Sequence, residues 1–179
     1  KRRKEIINNI KVNRSFIWVS KNKGIFCRLM TYFSFVFSSL IHGFFKLQKF
    51  DIIICESPPL FLGLTALILK RKWKCNLVFN VSDLWPESAE KLGLIKNRFI
   101  LKISYKLEYF IYKNSDLISC QTRGILQTIS QTISHTKLFW SPNGASIQQL
   151  RQPEVSSNNN THFNLLYAGI IGHAQGLEI

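Results

Sequence analysis

The sequence predicts an α/β protein built around a parallel sheet, and three observations carry that expectation. Short apolar runs recur at Asp51 to Cys55, Asn76 to Val81, Asp116 to Cys120 and Lys137 to Trp140. Stretches with helical spacing separate them, and turn residues mark the joins. Strands alternating with helices indicate a doubly wound parallel sheet, because a parallel partner is reached only through a long crossover. Of the 179 residues, 46% are hydrophobic. That is enough for one well-buried domain, or one domain and a piece of another.

Taken in order, Ile10 to Ser20 suits a strand, and Lys21-Asn22-Lys23-Gly24 turns the chain. A helix is expected from Ile25 to Leu47. Within it, Leu29 to Phe45 carries no formal charge and is bracketed by Arg28 and Lys46. A bilayer span takes roughly 20 apolar residues, and Ser34, Ser38, Ser39, His42 and Gly43 dilute this stretch. Three readings stay open: a span, a helix lying in a membrane surface, and a buried helix. Asp51 to Cys55 has the pattern of a parallel strand buried on both faces. Ser57 is expected to cap the next helix, with Pro58 at its first position. That helix, running through Lys70-Arg71-Lys72, is apolar nearly all round and hence deeply buried or lipid-facing.

The segment Val81-Ser82-Asp83-Leu84-Trp85-Pro86-Glu87-Ser88 follows the strand Asn76 to Val81, and there carboxylates appear beside a tryptophan and a proline. Pro86 suits a helix start, so Asp83 and Trp85 fall on the loop before it. Ligands in open α/β sheets bind at the carboxyl ends of strands. Asp83 is therefore a site candidate, against the alternative that it caps a helix while Trp85 packs in the core.

A short helix is expected near Glu87 to Leu92 and a longer one from Arg98 to Lys113. Ile100, Ile103, Leu107, Phe110 and Ile111 would face the core. Lys102, Lys106, Tyr109 and Lys113 form a second stripe, suited either to a negatively charged surface or to solvent. Gln121-Thr122-Arg123-Gly124 reads as a loop into a helix ending near Ser134, and Ser141-Pro142-Asn143-Gly144 closes the strand Lys137 to Trp140. Gln152 to His162 is polar and reads as an interdomain linker. A further strand, Phe163 to Ala168, leads into glycines 169, 172 and 176, which could admit a phosphate to backbone N–H groups or simply form a tight turn.

A net charge of +14 calls for an anionic partner. Nucleic acid, anionic lipid and phosphate-bearing substrates all qualify, but the lysines are scattered and no nucleic-acid motif accompanies them. Cys27, Cys55, Cys75 and Cys120 form no CxxC pair and lack zinc-ligand spacing. They read as reduced core residues, which points to cytosolic exposure and to no metal.

Glu56-Ser57-Pro58-Pro59-Leu60-Phe61, Val81 to Ser88, Leu107-Glu108 through Ser115-Asp116, Pro142-Asn143-Gly144 and Leu166 to Gly172 together resemble the family-4 retaining glycosyltransferases of GT-B fold. The likeness runs from about Arg14 to the end. It is nearest to the bacterial branch that builds O-antigen, capsule and colanic-acid repeat units, fucosamine transferases among them. Such enzymes have two Rossmann-like domains facing a cleft, the first for the acceptor and the second for the nucleotide-sugar. The resemblance implies a Rossmann-like acceptor domain over residues 1–150, a linker over 151–162 and the start of the donor domain over 163–179. The family's opening strand and its paired donor-domain glutamates fall outside the sequence, so the chain alone is expected to be inactive.

Residue by residue, Asp83 matches the acidic position of the acceptor-side loop, and Ser82 stands where many relatives carry histidine. Asp83 is thus the expected catalytic residue, with Ser82, Trp85 and Glu87 binding substrate; that Trp85 could stack on a sugar face follows from the chemistry of its ring and not from the resemblance. Gly169 and Gly172 match the loop near the donor diphosphate. The implied substrates are a nucleotide-sugar, UDP-linked, and a polyprenyl-diphosphate-linked acceptor; no cofactor is implied. The implied place is the cytoplasmic face of the inner membrane, with Arg28, Lys46, Lys102, Lys106 and Lys113 toward anionic lipid. The alternatives are an inactive membrane-associated remnant of such an enzyme and a basic nucleic-acid-binding module.

Overall fold

The computed structural model describes residues 4–20, 24–144 and 166–169, with only the backbone of Ile25 and Arg28. The protein is α/β. Its sheet holds four strands, β3 (Ile52–Ser57), β4 (Asn76–Val81), β5 (Leu117–Cys120) and β6 (Leu138–Trp140), all parallel and in sequence order. A separate hairpin pairs β1 (Lys4–Ile7) with β2 (Ile10–Asn13). The helices are α1 (Ile25–Lys46), α2 (Leu62–Trp73), α3 (Glu87–Lys91), α4 (Arg98–Asn114) and α5 (Arg123–Ser130). This is the Rossmann-like architecture that the alternation of strands and helices predicts.

The register decides where the core lies. Cys55, Phe79 and Ile118 share one row across the sheet, with Ser57, Val81 and Cys120 in the next. That face packs against Ala66 and Leu67 of α2, Ile111 and Tyr112 of α4, and Ile125 and Ile129 of α5. Right-handed crossovers between neighbouring strands put the connecting helices on one side. The opposite face carries Ile52, Ile54, Leu117 and Phe139, all exposed, with Ile54 at 74%. Among the described residues the sheet is therefore covered on one face only, and β3 is an edge strand open on its other face. An unbroken apolar run cannot distinguish such a strand from one buried on both sides.

Four further differences have local causes. The expected strand Ile10 to Ser20 stops at Asn13, and its partner is the preceding segment Lys4–Ile7. Asn8 and Asn9, at φ 48° and 63°, make the tight turn between them. Residues 14–20 lie along α1 instead, with the Trp18 N–H donating to Ser34 Oγ at 2.9 Å and Ser38 Oγ donating to the Phe16 carbonyl. Helix α2 begins at Leu62 rather than Pro58, and Ser57 is the buried last residue of β3 rather than a cap. The carbonyls of Pro59, Leu60 and Phe61 take the first N–H groups of α2 at 3.0, 2.9 and 3.1 Å. Helix α5 ends at Ser130, short of the expected Ser134, and a 3-10 turn, His135–Lys137, leads into β6. Residues 166–168 form no strand; Phe163 to Leu165 and the linker lie outside the described residues.

The phase of α4 also differs from the expectation. Asn97 caps it, accepting from Phe99 N at 2.9 Å and Ile100 N at 3.3 Å. The buried face runs through Leu101, Ser104, Ile111 and Tyr112. Ile100, Ile103 and Phe110 are exposed, with Ile103 at 50%. Apolar residues occupy more of this helix than the core can cover, so their spacing left the face undetermined.

Helix α1 packs on α2, where a Cβ at Gly43 would lie 2.7 Å from Leu69 Cδ1 and Thr65 Oγ1 donates to the Val36 carbonyl at 3.2 Å. Away from α2, Phe26, Met30, Phe37 and Ile41 are exposed, Phe37 at 62%. Among the described residues no helix is long and apolar enough to cross a membrane.

Candidate active site

The carboxyl ends of the four strands make one polar rim. The ladder continues past them: Ser82 N donates to the Ser57 carbonyl at 3.2 Å, Gln121 N to Val81 at 3.1 Å and Ser141 N to Cys120 at 2.9 Å. The first residues after β4 and β5 are thereby fixed, and with them the loop Ser82 to Pro86. Glu56, near the end of β3, faces away from the helix layer in register with Asn80. Its carboxylate accepts from Asn80 Nδ2 at 2.5 Å and from the Ser82 hydroxyl. Ser82 is therefore a link that ties the loop to β3. Further along the rim, Gln121 Nε2 donates to Asn143 Oδ1 at 2.6 Å, and the Arg123 guanidinium lies 4.6 Å over the Trp140 ring.

Asp83 is exposed, and its Oδ1 accepts from Ser88 Oγ at 2.6 Å. The carboxylate thus meets a side chain of α3 and remains open to solvent. It also borders a cavity of about 280 Å³. The walls are Leu29 and Tyr32 of α1, the turn Pro58 to Phe61, Trp85, Ala89, and Leu94 with Ile95. Among the described residues, Asp83 is the only charged side chain in that wall. Trp85 is half-buried and meets Phe61 edge-on at 5.7 Å, and Phe61 in turn meets Phe33 of α1 at 4.8 Å. This aromatic row holds the loop against α1.

Known protein families and curated proteins offer no match to the chain.

Glu87 does not join Asp83 in that cavity. It pairs with Lys91 one turn along α3 and borders a second hollow of about 280 Å³ with Leu84, Tyr105, Glu108, Tyr109 and Tyr112. The loop thus divides two cavities, with Asp83 and Trp85 toward one and Leu84 toward the other. Burial pushes the Glu108 carboxyl up to about 7, against the opposing effect of the Tyr112 hydroxyl, which donates to it at 2.9 Å. Burial also raises the Tyr112 and Tyr105 hydroxyls, with Glu108 and Glu90 beside them adding to the effect.

Of the other expected site residues, Lys102, Lys106 and Lys113 are exposed on α4, and Lys46 is exposed in the last turn of α1. Gly169 is described, with the Tyr167 ring packed close to it. Gly172 and the Arg28 side chain lie outside the described residues. Cys55, Cys75 and Cys120 are buried free thiols and Cys27 is half-buried, with burial pushing the Cys55 thiol up to about 12. Glu56 and Glu108 are the residues that sequence reasoning passed over as site candidates. A glutamate ending an apolar strand, in register with a polar residue of the next, is the signal for the first. The second lies in the stretch Leu107-Glu108 through Ser115-Asp116, which entered the resemblance without a role for its carboxylate.

Proposed function

We propose that the chain is the acceptor-binding part of a retaining glycosyltransferase that moves a sugar from a UDP-linked nucleotide-sugar to a polyprenyl-diphosphate-linked acceptor. It works in surface-polysaccharide synthesis, at the cytoplasmic face of the inner membrane. The reading comes from the resemblance of the motifs. The observation that supports it best is the placement of Asp83, an exposed carboxylate at the carboxyl end of a central parallel strand and at the mouth of a cavity. There it would orient or deprotonate the acceptor hydroxyl. Ser82, held by Glu56, fixes the loop; Gly169 and Gly172 belong to the donor-diphosphate loop. Lys46, Lys102, Lys106 and Lys113 face anionic lipid, together with the exposed apolar side chains of α1 and α4.

The test is transfer of labelled sugar from UDP-sugars to a polyprenyl-diphosphate-linked acceptor, measured with the donor half completed. Turnover that depends on Asp83 is expected. A complete protein that transfers no sugar from any donor in the panel would overturn the reading.

A further inference from the structure

We propose that the hollow between α3, α4 and α5 binds the primary ammonium group of a small aliphatic amine, with Glu108 as its main acceptor, Glu87 beside it, and the rings of Tyr105, Tyr109 and Tyr112 as walls. The site is separate from the rim that carries Asp83 and needs nothing of the transfer reading.

Sequence spacing builds one wall. Tyr105, Glu108, Tyr109 and Tyr112 stand at i, i+3, i+4 and i+7 of α4 and so share one face of it. Tyr112 is buried at the back, where its ring meets Phe79 at 5.9 Å and its hydroxyl donates to Glu108 at 2.9 Å. Tyr105 and Tyr109 are exposed at the mouth, and the Tyr105 hydroxyl donates to Glu90 of α3 at 2.6 Å, which fixes that ring. From the side of α5, Thr128, Gln131 and Thr132 add oxygens that accept further N–H bonds. A space of about 280 Å³ admits a short alkyl amine, with its methylenes against the tyrosine rings and Ile129.

The charge of the lining decides the class of ligand. Lys and Arg outnumber Asp and Glu by 24 to 10, yet among the described residues two carboxylates and no cation line the hollow. Lys91 pairs with Glu87 from outside, its side chain 74% exposed. Burial pushes the Glu108 carboxyl up to about 7 against the effect of the Tyr112 hydroxyl, and Glu87 adds to the rise. Among the described residues α5 turns no titratable side chain toward it. A half-buried carboxylate that lacks a counterion gains most from a ligand that brings one. A neutral ligand leaves that charge unanswered, whereas an ammonium supplies the charge, three N–H donors and a cation for the ring faces. The net charge of +14 repels a cation at long range, so capture has to come from these local contacts.

The probe is n-butylammonium, added to the parent chain with ring-labelled tyrosine and followed by NMR, against tetramethylammonium and n-butanol. Tyr105, Tyr109 and Tyr112 should shift, while the other two tyrosines, Tyr32 and Tyr167, stay in place. The probe should bind about tenfold tighter than either control, since one lacks N–H donors and the other lacks the charge. A carboxyl at about 7 that drops by roughly 1–3 on gaining a cation makes affinity rise about five- to tenfold from pH 6 to pH 8. Glu108→Gln should weaken binding about tenfold and flatten this profile, and Tyr109→Ala, at an exposed position, should weaken it about two- to fivefold. Circular dichroism checks that both variants fold. No shift at the three tyrosines, equal binding of either control, an affinity indifferent to pH, or parental binding by Glu108→Gln would overturn the site. The first three outcomes are read on the parent chain, so the test stands even where a variant fails to fold.

Discussion

Asp83 accepts a hydrogen bond from the Ser88 hydroxyl and is otherwise open to solvent, which suits a group that must meet a second molecule. Asp83→Asn preserves the shape and removes the proton acceptor. In the proposed transferase, completed with its donor half, turnover should fall roughly 10²–10⁴-fold while donor affinity holds; activity within about threefold of the parent would make Asp83 a structural residue. Glu108 gives a prediction about pH. Its ordinary value is 4.5 and its folded value about 7, so between these the folded state holds a proton that the unfolded chain has released. Stability from this group is therefore full below about 4.5, declines as pH rises toward 7 and is lost above it. Glu108→Gln should raise the melting temperature at pH 8 by about 2–4 °C, the effect of ~1 kcal/mol after allowance for partial solvent screening, and leave pH 5 nearly unchanged. Asp116 has the opposite sign. Burial works against its charged form, yet the Lys70 ammonium at 2.8 Å and the Leu77 N–H at 2.6 Å hold it below its ordinary value. Its contribution is present above that value and lost as pH falls through the folded one. Asp116→Ala leaves the N–H of fully buried Leu77 without this acceptor and should cost about 1–3 kcal/mol in urea unfolding at pH 7.

At the scale of elements, the fit of α2 depends on a missing side chain. A Cβ at Gly63 would sit 2.9 Å from two carbons of Ile111 and 3.0 Å from Phe79 in β4. The helix preference of alanine works in favour of Gly63→Ala by roughly 1 kcal/mol, and overpacking of roughly 1–3 kcal/mol works against it. A net loss of about 1 kcal/mol is expected, and an unfolding midpoint equal to or above the parent's would show that Ile111 yields without strain. The sequence made the strands β4 and β5 legible because short apolar runs there end in turn residues. It made the loop carrying Asp83 and Trp85 legible for the same reason. The face of α4 was not legible, since Ile100, Ile103 and Phe110 have core-like spacing and only the packing of Ser104 and Tyr112 shows which side turns inward. The pairing of Glu56 with Ser82 joins residues 26 apart, a contact that only strand register creates. Likewise Asn8-Asn9, a turn signal in retrospect, defines the hairpin only once its two short flanking runs are seen to pair.

For the molecule as a whole, the exposed apolar residues of α4 lie beside its lysines. Phe99, Ile103 and Phe110 are on the outer surface with Lys102, Lys106 and Lys113. Vesicles rich in anionic lipid should co-sediment with the protein, less as salt rises and less when these three lysines become glutamine. Binding that ignores both changes would remove the electrostatic part of the membrane reading. The other large apolar surface belongs to the sheet, where Ile52, Ile54, Leu117 and Phe139 face solvent from the side opposite the helices. A surface of this kind ties conformational stability to mass action, since any neighbour that covers it binds the folded state and not the unfolded one. A second copy seated there would make the melting temperature rise with protein concentration, which a dilution series in calorimetry reads directly.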